Sequence, residues 1–265
     1  MESVIIKSCQ TTDDLKSVVV AVVSDLGGFA KFIKAGDKVL IKPNVNTADP
    51  FPASSDPLFI RAVVELVLEA GAGQIIVGDS STFSQNTRKN FTKLNLFDLE
   101  KIDSKIKVIS FDDGRWIKKE VVGGKFLKSI SVPEILDSVD KIIFLPCVKT
   151  HFIAKFTGAL KLGVGLMEPR ERLMFHAQHT EEKVAEFNLV FRPDLIIMDG
   201  RKCFISGGPS KGELREPKVI LASTSRVAID LEEVKIIQSF PGNNLANVSP
   251  EDLIQIKHAK EIGIN

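Results

Sequence analysis

Cysteine is scarce in this chain, and what there is cannot build a metal centre. Cys9, Cys147 and Cys203 are odd in number, far apart, and include no C-x-x-C pair. Neither a zinc ribbon nor a self-contained iron–sulfur cluster is available, and reduced thiols in a reducing compartment are expected. Long apolar runs are missing too, since none approaches the roughly 18 residues that span a bilayer. At the amino terminus Asp13, Asp14 and Lys16 interrupt any apolar signal core, which predicts a cytoplasmic protein without a membrane partner. Neither sign of charge prevails: Lys plus Arg number 35 and Asp plus Glu 34, so no global field favours nucleic acid. Tyrosine is absent while phenylalanine numbers 17, a bias that points to no function. Repeats, linkers and low-complexity tracts are also lacking, which predicts one α/β domain over residues 1–265.

What is present is an ordinary soluble composition, 44% hydrophobic and 26% charged, in a chain long enough for a large core. Four short apolar runs end abruptly in polar residues. Val39-Leu40-Ile41 leads into Lys42-Pro43-Asn44, and Ile75-Ile76-Val77 into Gly78-Asp79-Ser80. Ile142-Ile143-Phe144-Leu145 precedes Pro146-Cys147-Val148-Lys149-Thr150-His151, and Leu195-Ile196-Ile197-Met198 precedes Asp199-Gly200. Continuous runs of this length read as strands buried on both faces. They predict a mostly parallel sheet covered by helices on both sides, in Rossmann-like layers. Ligands of such sheets bind outside the carboxyl ends of the strands. If the runs lie side by side, Lys42, Asn44, Asp79, Ser80, Lys149, His151 and Asp199 converge on one crevice.

Other elements follow from caps and spacing. An opening strand is expected over residues 1–6 and a helical pattern over 12–33, started by Thr12. Asp56-Pro57 begins a helix that Gly71 ends. Residues 116–122 and 126–130, joined by Gly123-Gly124, form an inserted β-hairpin near 115–131. Helical stretches are expected over 154–166, 180–191 and 226–240, a strand over 219–222, and a last helix capped at Ser249.

Lysine and histidine at a strand end can fix an anion and move a proton, which makes Lys149, His151 and His176 the catalytic candidates. The bland alternative for each is a solvated loop or helix start. His176 and His179 are three apart and, with His151, could form a three-nitrogen site for a divalent metal. Gly158 to Gly165 combines three glycines with Lys161, which serves either ligand approach or helix packing. Gly207-Gly208 reads either as an anion cradle or as a plain turn, and neither glycine-rich stretch has Walker spacing. Asp230 falls on the apolar face of its helix, where a carboxylate needs a partner or a raised pKa. Cys147 and Cys203 read as core thiols rather than nucleophiles.

Together these segments resemble the domain-of-unknown-function 362 family. The likeness rests on Lys42-Pro43-Asn44, Gly78-Asp79-Ser80, Lys149-Thr150-His151, Thr157-Gly158-Ala159-Leu160-Lys161, His176, Asp199-Gly200, Gly207-Gly208-Pro209 with Gly212, and Val227-Ala228-Ile229-Asp230, in family order. Longer members carry a ferredoxin-like module with C-x-x-C-x-x-C runs. This chain has no such run, so the iron–sulfur label is not transferred to it, and the resemblance leaves room for a separate ferredoxin-like partner. A weaker similarity runs to the amino-terminal domain of nickel-pincer lactate racemases, through Ala35-Gly36-Asp37-Lys38-Val39-Leu40-Ile41 and the helix and strand that follow. That similarity implies a pincer cofactor held by Lys149 or Lys161, with His151 and His176 as an acid–base pair. The racemases' Gly-Thr-His-type motif after the second strand is replaced here by Gly78-Asp79-Ser80. Three readings result: an enzyme for a small anionic ligand, a non-catalytic redox or cofactor-assembly accessory, and a metal or pincer racemase-like enzyme.

Overall fold

The computed structural model describes residues 3–10 and 13–265. In chain order its strands are β1 (Val4–Ser8), β2 (Lys38–Lys42), β3 (Gln74–Asp79), β4 (Ile106–Ser110), β5 (Trp116–Glu120) and β6 (Ser129–Pro133). They continue with β7 (Lys141–Phe144), β8 (Cys147–His151), β9 (Lys155–Phe156), β10 (Leu195–Gly207), β11 (Gly212–Arg215) and β12 (Val219–Ser223). The four apolar runs become β2, β3, β7 and the start of β10, and they do lie side by side, in the order β3–β2–β7–β10. All three of those pairings are parallel. β4 extends the parallel set beyond β3, while on the far side β12 pairs antiparallel with β10 and β1 antiparallel with β12.

The connections place the site. From β2 the chain moves outward to β3 and β4, then returns to lay β7 on the other side of β2. Where the winding direction reverses, the loops leaving β2 and β7 splay apart and open a crevice at the strand carboxyl ends.

Alternation of side chains builds a core on each face. Leu40, Ile76, Ile142, Phe144, Ile196 and Met198 join the helices Thr180–Phe187, Arg226–Gln238 and Ile254–Glu261 on one side. Val39, Ile41, Ile75, Val77, Ile143 and Ile197 meet the helices Leu15–Ser24 and Pro57–Glu69 on the other. Each such side chain gains about 1.5–3 kcal/mol from burial, so both faces contribute to holding the strands in register.

Several elements depart from expectation for identifiable reasons. The strand expected over residues 1–6 runs over Val4–Ser8 in the described residues. Thr12 lies outside the described residues, and Asp14 caps the first helix by accepting from Ser17 N. That helix stops at Ser24, because Gly27 and Gly28 adopt φ of 112° and 81°, and a separate turn Phe29–Phe32 follows. The inserted hairpin pairs Trp116 with Pro133 and Glu120 with Ser129, so its return strand starts later than predicted. The backbone N–H groups of Lys125, Phe126 and Leu127 are drawn out of the ladder by the buried Glu186 carboxylate, at 2.8, 2.9 and 2.7 Å. The expected helix over 154–166 divides into β9, a helix Gly158–Leu162 and a 3₁₀ segment Gly163–Leu166. At the sheet margin, the outward N–H of Val108 in β4 donates to Glu100 Oε1 at 2.9 Å.

Candidate functional site

The polar strand ends open on a pocket of about 410 Å³. Lys42, Asn44, Asp79, Ser80, Lys149, His151, Lys161 and His176, all expected from the sequence, line it. Arg172 joins the three lysines, and Asp79 is the one carboxylate among the lining residues. Four basic groups facing one acid make the pocket positive.

Lys42 at the end of β2 donates to Asp79 at the end of β3, 2.8 Å away, with both side chains almost fully buried. Its ammonium also donates to the Pro43 carbonyl at 2.7 Å. Asp79 accepts further N–H bonds from Val45 on Oδ2 and Ser80 on Oδ1, both at 2.7 Å, so three of its acceptor sites are taken. Gly165 lies directly over this pair. A Cβ there would come within 2.4 Å of Asp79 Oδ1 and 2.5 Å of Lys42 Nζ, which is why the roof of the ion pair carries no side chain.

The other two lysines are less engaged. Lys149 donates from Nζ to the Ala53 carbonyl, which leaves two ammonium hydrogens for a ligand. Burial pushes its pKa down to about 8. The Lys161 ammonium has no acceptor among the described residues, and burial followed by repulsion from Lys149 and Arg172 pushes its pKa down to about 7.

Arg172 was legible in the sequence only as part of a polar connection. Its Nε and one terminal nitrogen donate to the Met167 carbonyl, and the other terminal nitrogen donates to the Ser80 and Ser81 carbonyls. A fifth donation goes to Ser80 Oγ, so all five guanidinium donors are used. Arg172 therefore contributes charge to the pocket without a free N–H. Ser80 Oγ is likewise committed, since it donates to the Gly165 carbonyl at 2.9 Å. The signal that could have found Arg172 is its position four residues before His176, on the same helical face.

The two histidines are fixed in opposite tautomers. His151 Nδ1 accepts from the backbone N–H groups of Ile153 and Ala154, at 3.1 and 3.2 Å. Neutral His151 must then carry its proton on Nε2. Protonating Nδ1 would break both bonds, and burial aided by Lys161, His176 and Lys149 pushes the ring's pKa down to about 2. His176 Nδ1 lies 2.6 Å from the Arg172 carbonyl, which can only accept, so Nδ1 bears the proton and Nε2 keeps its lone pair. Burial, with Lys161 next, lowers the pKa of His176. One ring offers the pocket a donor and the other an acceptor.

Other candidates fall elsewhere. Asp199 does not end its strand, because β10 continues to Gly207; it is held by Arg201, which also reaches Asp56 at 2.7 Å. Gly207 ends β10, paired with Gly212, and Gly208 opens the turn, and it is the next two residues, Pro209 and Ser210, that line the pocket. His179 is not brought to the other two histidines; it stacks on Phe126 with ring centroids 4.3 Å apart.

Asp230 is fully buried behind the pocket and accepts from the N–H groups of Ala159 and Leu160 at 2.5 and 3.0 Å. Burial pushes its pKa up to about 8. Glu233, one turn on and absent from the sequence reading, accepts from Lys149 N at 2.9 Å and is also raised by burial. These two acids brace the segments that carry Lys161 and Lys149. Burial pushes the thiols of Cys147 and Cys203 up to about 11 and 12, as suits core positions. Among the described residues no group of three His, Cys, Asp or Glu side chains is placed to hold a metal ion, and no helix is long and apolar enough to cross a membrane.

Comparison with known proteins places this geometry. A thylakoid-associated protein of Synechocystis is 30% identical over 226 residues, covering 82% of this chain and 68% of its own length. A Thermotoga maritima crystal structure superposes with a TM-score of 0.52 at 11% identity, over 98% of this chain and 60% of that one. The lactate racemase apoprotein of Thermoanaerobacterium thermosaccharolyticum gives 0.51 at 12% identity, over 88% and 57%. The chain thus spans about three-fifths of each solved structure, and at such identities they share its α/β fold alone. The model of the domain of unknown function DUF362 matches residues 39–234, from β2 through the helix that carries Asp230 and Glu233. Since that span holds the strand ends, all the basic groups and both histidines of the pocket, the chain belongs to the DUF362 family.

Proposed function

We propose that the pocket belongs to an enzyme that binds a small organic anion and moves a proton to or from it through His176. The observation that carries this reading is the opposed tautomers: Nε2–H of His151 donates to the ligand while the Nε2 lone pair of His176 accepts its proton. Lys149 supplies two ammonium hydrogens, and Lys42 and Arg172 add charge that solvent screens little at their depth. In this reading His151 is an oriented donor rather than the second acid–base group.

The donor set does not fit a divalent ion held by this chain. His151 would have to surrender two backbone hydrogen bonds to free an imidazole lone pair at Nε2, which leaves His176 as the one available ring nitrogen. The proposed proton transfer passes through no metal.

Anion binding favours protonated Lys149, whose pKa is about 8, and protonated His176, so affinity rises as pH falls from 8 to 6. Calorimetric titration with inorganic phosphate and acetate should show that trend, with Lys149→Met weakening binding by about tenfold or more, as expected for a lost charged hydrogen bond. Nitrogen-15 NMR of the two rings should show His151 as the Nε2–H form from pH 5 to 8 and His176 taking a proton when anion binds. The reading fails if neither anion binds, or if His151 titrates near its ordinary value.

A second reading is supported by the pocket mouth, where Phe83, Phe152, Ile153 and Leu173 are exposed, as is Met174 beside Leu173. An apolar rim of this kind suits an accessory protein that docks a separate ferredoxin-like partner. Anisotropy titration with a purified ferredoxin, repeated on Phe152→Ser, tests it; equal binding by both proteins would sink it.

A further inference from the structure

Three lysines reach the pocket, and their environments differ. The Lys42 ammonium has a carboxylate and a carbonyl, and that of Lys149 has a carbonyl. Lys161 Nζ has no acceptor among the described residues. The charges that act on it are Lys149 and Arg172, both positive, and the rings it perturbs in turn are those of His151 and His176. Asp79 is already engaged by Lys42 and two backbone N–H groups. A half-buried ammonium with no acceptor among the described residues, beside two cations, gives up its proton more readily than a paired one, and the neutral amine then presents its lone pair to the pocket that Lys161 lines. The backbone beneath it is fixed as well, because Asp230 holds the N–H groups of Ala159 and Leu160 at the start of its helix.

We propose that Lys161 is a covalent attachment site that forms an imine with an anionic carbonyl compound of the 2-oxo acid class. The proposal rests on the anion-binding reading above, in which Lys149 and His151 hold the carboxylate and so present the adjacent carbonyl to Lys161. The Nζ lone pair attacks the carbonyl carbon to give a carbinolamine. The carbonyl oxygen then leaves as water, taking the two hydrogens of the amine, and a C=N bond replaces the C=O bond. Nothing is oxidised or reduced. A proton from solvent converts the imine to an iminium, and His176 Nε2 is the group of the pocket able to relay protons during the exchange. The lowered pKa of Lys161, about 7, supplies free amine near neutrality, where an ordinary lysine holds almost none.

Incubating the full chain with pyruvate or glyoxylate and sodium cyanoborohydride reduces any imine to a stable secondary amine, which peptide mass mapping locates. The expected result is one dominant adduct, at Lys161, formed at least ~100-fold faster than at any exposed lysine, in keeping with about three pKa units of difference. Its rate should rise through pH 7 and level off above it. Inorganic phosphate should suppress it, Lys161→Arg should abolish it, and Lys149→Arg should slow it. Mapping the unsubstituted protein answers the question even if Lys161→Arg does not fold. Adducts spread over surface lysines, or a dominant adduct elsewhere, would overturn the assignment. Phosphate binding without an adduct refutes the imine alone, whereas loss of both refutes the anion pocket itself.

Discussion

Lys42 and Asp79 sit 2.8 Å apart with 1% and 2% of their side chains exposed, so neither charge can be left alone without a large penalty. Lys42→Met strands the carboxylate and should cost about 3–5 kcal/mol of stability. Lys42→Met combined with Asp79→Asn removes both charges and should recover much of that loss, as read from urea unfolding midpoints. Additive losses in the double variant would show that the pair is not coupled. Both residues were legible from sequence because a polar residue ending a buried apolar run must face a ligand, a partner or water. Asp199 looked the same and was misread. Its strand does not stop there, since Arg201, two residues on and on the same face, neutralises the charge and lets the strand continue. Arg172 was missed because three of its five hydrogen bonds go to Ser80 and Ser81, far back in the chain, and the other two to a nearby backbone carbonyl, which leave no side-chain pattern in the sequence.

The helix Arg226–Gln238 acts as the brace of the site from behind the sheet. Through Asp230 it holds the start of the helix Gly158–Leu162, which carries Lys161, and through Glu233 it holds the backbone of β8 at Lys149. Asp230→Ala would orphan two buried N–H groups and leave a void, a cost of about 2–4 kcal/mol. It should also slow covalent trapping at Lys161 relative to folded wild type, because the lysine's helix loses its anchor. Chemical unfolding and the trapping assay measure the two effects, and a destabilised variant that traps at the wild-type rate would contradict the bracing role. Asp230 stood out in the sequence by lying on an apolar face. What it holds was not legible, because contacts 70 and 71 residues away depend on tertiary packing. The helix near Gly27-Gly28 was overextended for a simpler reason: apolar spacing continues across two glycines whose backbone leaves the helical region.

Across the whole molecule, the buried titratable groups set opposing pH slopes. Burial raises Asp230 to about 8 and raises Glu233 as well, so the folded chain keeps protons that the unfolded chain releases above pH about 4. That contribution is complete at low pH and is lost as pH climbs toward 8. His151 works the other way. Its pKa is about 2 when folded, so stability drops as pH falls below its ordinary 6.5. Lys161 and Lys149, lowered to about 7 and 8, give up protons that the unfolded chain retains, and so favour folding as pH rises above 7. Glu233→Gln removes one of the acids at little steric cost. Relative to wild type it should gain stability as pH rises above the ordinary glutamate range, by up to about 1.4 kcal/mol per pH unit. Melting temperatures recorded over that rise check the sign, and parallel curves would sink it. The sheet order itself was within reach of the sequence as far as four adjacent parallel strands; β1 and β12 were expected as strands, but their places beyond β10 were not, because antiparallel pairing between distant parts of the chain leaves no local pattern.

Beyond the pocket, the bond from Val108 N–H to Glu100 bears on how copies of this chain can meet. An open sheet margin is a template on which a second polypeptide can polymerise. A carboxylate already occupying the central amide of β4 takes one donor out of that template, which disfavours growth of a continuous sheet through this side.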